Sequence, residues 1–260
     1  MQERMRMSAA VGLLVILWSG ALVVAEEGRT AHRGEGWDFM IAPYLWMAGV
    51  DGDVSLGATA ASGSVDFGDV LNNLDAGGSA YFSARKDKRG LYVDATFMEV
   101  SAPVTVAGGA ATTAARMQLY EVGGLYRTYE GYAGADGLPV STDLFFGGRF
   151  VSLDASVQPA VGVKAQGSES WFDPIIGASH HRDFTKKFTI STSGDFGGLG
   201  IGSDFTWSLR VMGGYRMTDH TNVWFGYRYL DIDYDHGTGT GKFVYDVALH
   251  GPILGASFHF

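Results

Sequence analysis

Apolar and polar residues alternate along two adjacent stretches near the middle of the chain. Every second residue is apolar or small from Phe188 to Phe196, and the same holds from Phe205 to Tyr215. Side chains of a β-strand point alternately to its two faces, so each stretch predicts a strand with one apolar and one polar face. A soluble sheet turns its apolar face towards a core, whereas a membrane barrel turns it towards lipid.

Similar alternation elsewhere predicts an all-β chain with about 10 strands, within a range of about 8 to 12. A short hairpin that pairs 54–56 with 64–67 and a helical turn at 68–74 are expected inside the connection at 51–75. Proline cannot donate to the strand ladder, so bulges are expected at Pro43, Pro174 and Pro252. The predicted strands cover residues 37–48, 77–86, 91–101, 114–129, 141–155, 170–181, 187–196, 204–217, 222–235 and 243–260.

The first 25 residues have the order of a cleavable secretory signal. Arg4 and Arg6 precede an apolar run at 9–18, and small residues at 23–25 precede Glu26. The alternative is an uncleaved anchor, but the run is shorter than the roughly 20 residues that a spanning helix needs. No later run reaches that length, so a mature chain in a membrane must cross it as a closed barrel. We predict a signal peptide over 1–25, a polar leader over 26–36 and a barrel over 37–260.

Composition and loop lengths narrow the class further. The chain has 260 residues, no cysteine and a net charge of −9, which excludes disulfides and argues against a nucleic-acid-binding surface. Predicted turns near 87–90, 183–185 and 218–220 are short, whereas several other connections are long, as in a transmembrane barrel. A soluble sandwich is the alternative, but it does not require aromatic residues near its strand ends. Such residues here are Trp37, Trp46, Trp171, Tyr215 and Tyr234.

The C-terminus carries the most specific motif. Phe260 ends the chain, Phe258 stands two positions before it, and Gly255 precedes both. This pattern resembles the signature by which outer-membrane barrels of Gram-negative bacteria are recognised for assembly, although the family has a polar residue where this chain has Ile253. The chain therefore resembles small OmpA-like, OmpW-like and opacity-protein-like barrels, and 226–234 resembles their penultimate strand. The resemblance implies an outer-membrane β-barrel that contacts membrane lipid and the barrel-assembly machinery, and we expect a monomer.

The polar faces of the predicted strands carry charges of both signs. The interior of a barrel of about 10 strands is nearly filled by side chains, so paired charges close it, whereas unpaired carboxylates would attract cations. We expect a closed lumen with Arg210 at its centre, paired most readily with Asp231 or Asp233; a narrow porin-like channel for small solutes is the alternative. The predicted lumen charge network consists of Arg149, Asp173, Asp195, Asp204, Arg210, Asp231 and Asp233.

Two clusters of polar residues suggest a catalytic site and a metal site, but the spacing of their residues along a strand disfavours both. Ser179 and His180 adjoin His181 and Asp183, but neighbouring residues on a strand face opposite ways, so Ser179 and His180 cannot both enter the lumen. The acidic run 231–236 has oxygen ligands suited to Ca²⁺, but residues two apart are roughly 6.6–7 Å apart, so other segments must contribute. We expect no enzymatic activity, cofactor or metal; a lipid- or peptide-processing enzyme is the second alternative function.

Overall fold

The computed structural model describes residues 36–56, 59–65, 68, 74–106, 109–160 and 165–260. The predicted signal peptide and, apart from Gly36, the polar leader lie outside the described residues. Across the described ranges, no helix is long and apolar enough to span a membrane.

The described residues form a sheet of 12 strands and a 3₁₀ turn at Gly239–Gly241. The strands are β1 Asp38–Trp46, β2 Gly49–Leu56, β3 Thr59–Val65, β4 Leu74–Lys86, β5 Arg89–Val106, β6 Gly109–Ala133, β7 Leu138–Pro159, β8 Ala165–Asp183, β9 Phe188–Gly198, β10 Phe205–Arg216, β11 Thr221–His236 and β12 Phe243–His259. Among them, β1 and β4 to β12 form a closed antiparallel barrel of 10 strands, because β12 pairs back onto β1. The predicted fold class is confirmed.

The hairpin expected between the first two barrel strands exists as β2 and β3, but its predicted register is wrong. Val54 lies opposite Ala61, not within 64–67. Asp51 and Gly52, which suggest a turn in the sequence, lie inside β2. Gly52 has a φ of +149°, and a Cβ there would clash with the Asp246 carbonyl oxygen, so this glycine permits close contact with β12. Of the predicted helical turn, Gly68 is helical, Leu74 begins β4, and 69–73 lie outside the described residues.

The predicted proline bulges are wrong. The pairing of β1 with β4, of β7 with β8 and of β11 with β12 keeps one register through Pro43, Pro174 and Pro252. A strand residue directs its N–H towards only one neighbouring strand, so each proline removes one ladder bond without displacing the chain. Register shifts occur instead between Leu74 and Ala76 and between Arg127 and Tyr129.

The two ends of the barrel differ. One end, here called the turn end, carries the first and last strand termini and the connections 87–88, 134–137, 184–187 and 217–220. The opposite end, the loop end, carries the β2–β3 hairpin and the remaining connections. In outer-membrane barrels the short turns face the periplasm.

An exposed apolar band covers the outer face of the barrel. At the edge nearer the loop end, Tyr120, Phe150 and Phe172 lie opposite one another on β6, β7 and β8. Towards the turn end, exposed aromatics include Tyr126, Tyr215 and Phe258. Apolar residues between two aromatic rows are the arrangement of a transmembrane barrel. Exposed members of the band include Ile41, Leu45, Phe82, Leu91, Val93, Val122, Leu144, Phe146, Ile176, Val211, Phe225 and Leu254.

Candidate functional site: the barrel interior

Three layers occupy the described interior of the barrel. An apolar core lies towards the loop end, a layer of charged side chains follows it, and an open space, here called the vestibule, extends to the turn end. In the apolar core, the rings of Trp171 and Tyr234 stack with their centroids 4.1 Å apart. The core consists of Trp46, Ala48, Met98, Met117, Leu119, Val151, Leu153, Trp171, Leu230, Ile232, Tyr234, Phe243, Tyr245, Val247, Leu249 and Ile253.

The charge layer joins side chains from both sides of the barrel. Arg149 donates from Nε to Glu121 at 3.0 Å and from Nη2 to Asp195 at 2.8 Å. Arg228 donates to the same Glu121 oxygen at 2.7 Å. Arginine's planar guanidinium suits such shared ion pairs. The layer consists of Arg149, Arg210, Arg228, Asp94, Glu121 and Asp195.

Strand register explains how the layer is built. Asp94, Glu121, Arg149 and Asp173 lie in a row across β5 to β8, each opposite the next. Across β10 and β11, Arg210 lies directly opposite Arg228, a pair of like charges that is unfavourable alone. Asp94 and Glu121 reach these arginines across the lumen, and the Arg210–Asp94 distance is 2.8 Å. The layer therefore contains equal numbers of positive and negative groups.

Neutral side chains add hydrogen bonds to the layer, although Nε and Nη1 of Arg228 have no hydrogen-bond partner among the described residues. Tyr44 donates its hydroxyl to Asp94 at 2.6 Å, and Ser208 donates to Asp195. Thr206 accepts from Arg149 Nη1 at 3.0 Å. Gly255 makes room for Tyr44, since a Cβ at this glycine would lie 2.6 Å from the tyrosine Cβ. Buried charges are stable only with such partners, and here hydroxyls supply part of them.

The structure brings some residues of the predicted network together. Arg149 and Asp195 form an ion pair, and Arg210 belongs to the same layer. However, the partner of Arg210 is Asp94 on β5, not one of the carboxylates favoured from the sequence. Asp173 is fully buried but accepts from Ser203 N at 2.6 Å, Ser203 Oγ at 2.8 Å and the Trp171 indole at 3.2 Å. It therefore fixes the β9–β10 connection.

The prediction is wrong for Asp204, Asp231 and Asp233. Asp204 is exposed and precedes β10, while Asp231 and Asp233 lie on the outer face of β11. On this strand the buried residues are Arg228, Leu230, Ile232 and Tyr234, and the last three pack in the apolar core. Towards the loop end the strand extends past the apolar band, so its apolar residues turn inward and its carboxylates turn outward.

Three members of the layer are missing from the predicted network: Asp94, Glu121 and Arg228. Glu121 alternates with apolar residues on β6, so the period-2 pattern that identified the other polar positions also contains it. Arg228 has the same parity as buried Leu230 and Ile232 and is itself 1 % exposed. The alternation of β11 therefore predicts Arg228 inside the barrel, once the face that carries Leu230 and Ile232 is assigned to the interior.

The vestibule has a volume of about 440 Å³ and reaches the turn end, where Asp38, Thr185 and Lys187 line it. Asp143 in its wall binds Arg85 at 2.8 Å and Arg127 at 2.5 Å. Serine hydroxyls form much of the remaining wall. They belong to Ser83, Ser141, Ser179, Ser191, Ser193, Ser208 and Ser257.

The histidines of β8 do not form a catalytic arrangement with the adjacent serine. His180 points outward, and its Nδ1 lies 3.0 Å from the Thr142 hydroxyl. His181 lines the vestibule, but its Nε2 faces both Thr189, at 2.9 Å, and Asp183, at 3.6 Å. A triad requires the carboxylate and the nucleophile on opposite ring nitrogens. Within the described ranges, no group of three or more His, Asp or Glu residues is placed to hold a metal.

The C-terminal motif closes the barrel wall. Phe258 and Phe260 are exposed on the outer side, and Phe260 stacks on Phe39 with centroids 5.9 Å apart. The backbones of Phe39 and Phe260 exchange two hydrogen bonds of 3.0 Å. The final residue therefore pairs with the first barrel strand, at the seam where the barrel closes. Its role as an assembly signal remains a prediction.

Replacing Phe260 with aspartate is expected to lower the amount of protein inserted into the outer membrane while leaving export intact. The change removes the terminal aromatic and places a charge beside Phe39 at the closing seam. Membrane fractionation with heat-modifiable gel mobility measures the inserted fraction. Phe184→Asp, in the β8–β9 turn, is the matched control and should insert normally; equal insertion of both variants would contradict the assembly role.

Comparisons with known proteins find solved structures of low similarity. No family model matches the chain, and no curated protein matches it. Neisserial surface protein A is 16 % identical, with 87 % of this chain and 100 % of that chain covered and a TM-score of 0.34. Ail of Yersinia pestis, solved with the heparin analogue sucrose octasulfate, is 13 % identical over 87 % and 100 %, with a TM-score of 0.36.

A Pseudomonas aeruginosa FadL homologue is 8 % identical, with 86 % of this chain and 90 % of that chain covered and a TM-score of 0.26. These similarities are low, so the fold is assigned from the closed strand order and the exposed apolar band. By this geometry, the chain has the fold of the small outer-membrane β-barrel proteins.

Proposed function

We propose that the protein is a non-enzymatic outer-membrane barrel of a Gram-negative bacterium, with a structural or surface-exposed role and a lumen that does not conduct. The observation that carries this proposal is the double closure of the interior by the charge layer and the apolar core. The outward apolar band and the C-terminal motif support the location.

Burial within the two layers supports a closed lumen. Arg149 is 0 % and Arg228 1 % exposed, so neither faces a water-filled channel. Beyond them Leu119, Leu230 and Ile232 are also buried. An open channel would require water at both levels, because conduction needs a continuous polar path.

The lengths of the central strands support a surface-exposed role. A membrane-spanning strand needs roughly 9–11 residues, whereas β6 has 25 and β7 has 22. The additional residues lie towards the loop end, where Glu99, Arg116, Asp154 and Ser168 form a polar row across the outer face. A polar, paired sheet beyond the apolar band is suited to the cell surface.

Refolded protein in a planar bilayer is expected to show no stable channel. Arg210→Ala should remain closed as well, because the apolar core lies beyond the charge layer and closes the lumen independently. Single-channel recording in potassium chloride tests both proteins, and insertion is verified by heat-modifiable gel mobility. A stable, reproducible conductance of the unmodified protein would contradict the closed lumen and favour the porin-like alternative.

A further inference from the structure

In the ion pairs of the vestibule, the arginine side chains are more exposed than the carboxylate side chains that they bind. Arg216 is 44 % exposed and its partner Asp183 5 %, and Arg210 is 22 % exposed and its partner Asp94 3 %. The same order holds for Arg85 and Arg127 against Asp143. A solute that enters the vestibule therefore meets guanidinium groups, although the whole chain has a net charge of −9.

Arg210 is the accessible cation at the inner end of the vestibule. Arg149 and Arg228 in the same layer are buried, and the carboxylates are covered. The hydrogen bond that Arg210 makes with the described side chains uses Nη2. A guanidinium has five N–H donors in a planar fork, so donors remain for a bidentate carboxylate.

The remaining walls combine aromatic rings with hydroxyls. Tyr81, Tyr92, Leu125 and Phe145 pack together along one side. Serine residues on β9 face the same space. At about 440 Å³, the vestibule falls in the range of roughly 300–1,000 Å³ that is typical of small-molecule sites. An anion with a flat apolar body matches this combination of walls.

The other charged groups at the opening do not reverse this preference. Asp38 is an exposed carboxylate there, and Lys187, His181 and His259 are basic groups that line the same opening. The carboxylate is thus accompanied by a permanent cation and two histidines. The inner end, which decides how an anion is held, presents Arg210.

We propose that the vestibule binds a small aromatic carboxylate, with the carboxylate on Arg210 and the ring against Tyr81 and Phe145. Entry from the periplasm rests on the outer-membrane location proposed above, but the binding itself does not. Binding is measured in detergent, whereas the location is measured by membrane fractionation, so the two can fail separately.

Isothermal titration of the refolded full chain with benzoate and with benzamide tests the proposal. The two probes have the same ring and similar size, but benzamide is neutral. Benzoate is expected to bind at millimolar or lower concentration, and benzamide about 10-fold or more weakly, as the loss of one charge-assisted contact predicts. Absence of benzoate binding, or equal binding of both probes, would overturn the proposal.

Three variants locate the site. Arg210→Gln should weaken benzoate binding about 10-fold, and Arg116→Gln, on the outer face, should leave it unchanged. Ser193→Phe should abolish binding, because Ser193 lies opposite Arg210 and the larger ring occupies the vestibule without removing a charge. Heat-modifiable gel mobility verifies folding of each variant. Binding that persists in Ser193→Phe, or falls equally in Arg116→Gln, would place benzoate elsewhere and refute the site.

Discussion

Replacing Arg149 with methionine is expected to lower the free energy of unfolding by about 3–5 kcal/mol. Arg149 is fully buried and binds Glu121 and Asp195, so its loss leaves two carboxylates with fewer cationic partners inside the barrel. Methionine retains much of the side-chain volume, so the charge and its hydrogen bonds are the main change. Urea unfolding in phospholipid vesicles, followed by tryptophan fluorescence, measures the difference.

Arg116→Met is the matched control for this substitution. Arg116 also forms an ion pair, with Glu99 at 3.1 Å, but the two side chains lie on the outer face and are 48 % and 32 % exposed. Exposed pairs contribute about 0–1 kcal/mol because water and salt screen them. Losses of equal size for the two variants would show that the interior charge layer is not a buried network.

The strands were predictable because alternation is a local property of the sequence. From Phe205 to Tyr215 the pattern fixes both the strand and its two faces, and the structure agrees. The predicted strands 91–101 and 114–129 leave residues 102–113 as a loop, because alanine, glycine and threonine dominate there. The structure instead has strand up to Val106 and again from Gly109. These residues form strands because β5 and β6 pair with each other there and β6 also pairs with β7. Amino-acid composition does not reveal such pairing.

Alternation alone does not determine which face of a strand is inside. Around Val211 the apolar side faces outward, whereas at Leu230 and Ile232 it faces inward. The difference depends on whether the position lies within or beyond the apolar band, and this height requires the complete barrel. For that reason alternation predicts Asp231 and Asp233 in the lumen, whereas the structure has them on the outer surface.

The partners in the charge layer depend on barrel closure. Arg210 and Asp94 are separated by 116 positions in sequence. Their contact exists because the strand number and stagger of the barrel place β5 across the lumen from β10. Sequence neighbours suggested β9 and β11 instead, and the directly opposite residue on β11 is Arg228. The local sequence pattern thus identifies which charged residues lie on the polar face, but it does not identify the residues with which they pair.

Replacing Phe146 with arginine is expected to destabilise the barrel by about 2–4 kcal/mol. Phe146 is 62 % exposed on the outer face of β7, between Leu144 and Phe150 in the apolar band. A guanidinium at that height must lose hydration or draw water into the lipid. The free energy of unfolding in phospholipid vesicles again measures the effect, with urea as denaturant.

Ser152→Arg provides the matched control, since Ser152 lies on the same strand and the same face. It is six positions from Phe146, roughly 20 Å at the rise of a strand, and directly beyond the aromatic row that contains Phe150. An arginine there can extend its charged group into water while its stem covers apolar surface. The expected cost is therefore about 0–1 kcal/mol, as near a membrane interface. A barrel whose outer face contacts water would lose little stability in either variant, so the difference between them tests the membrane-spanning band directly.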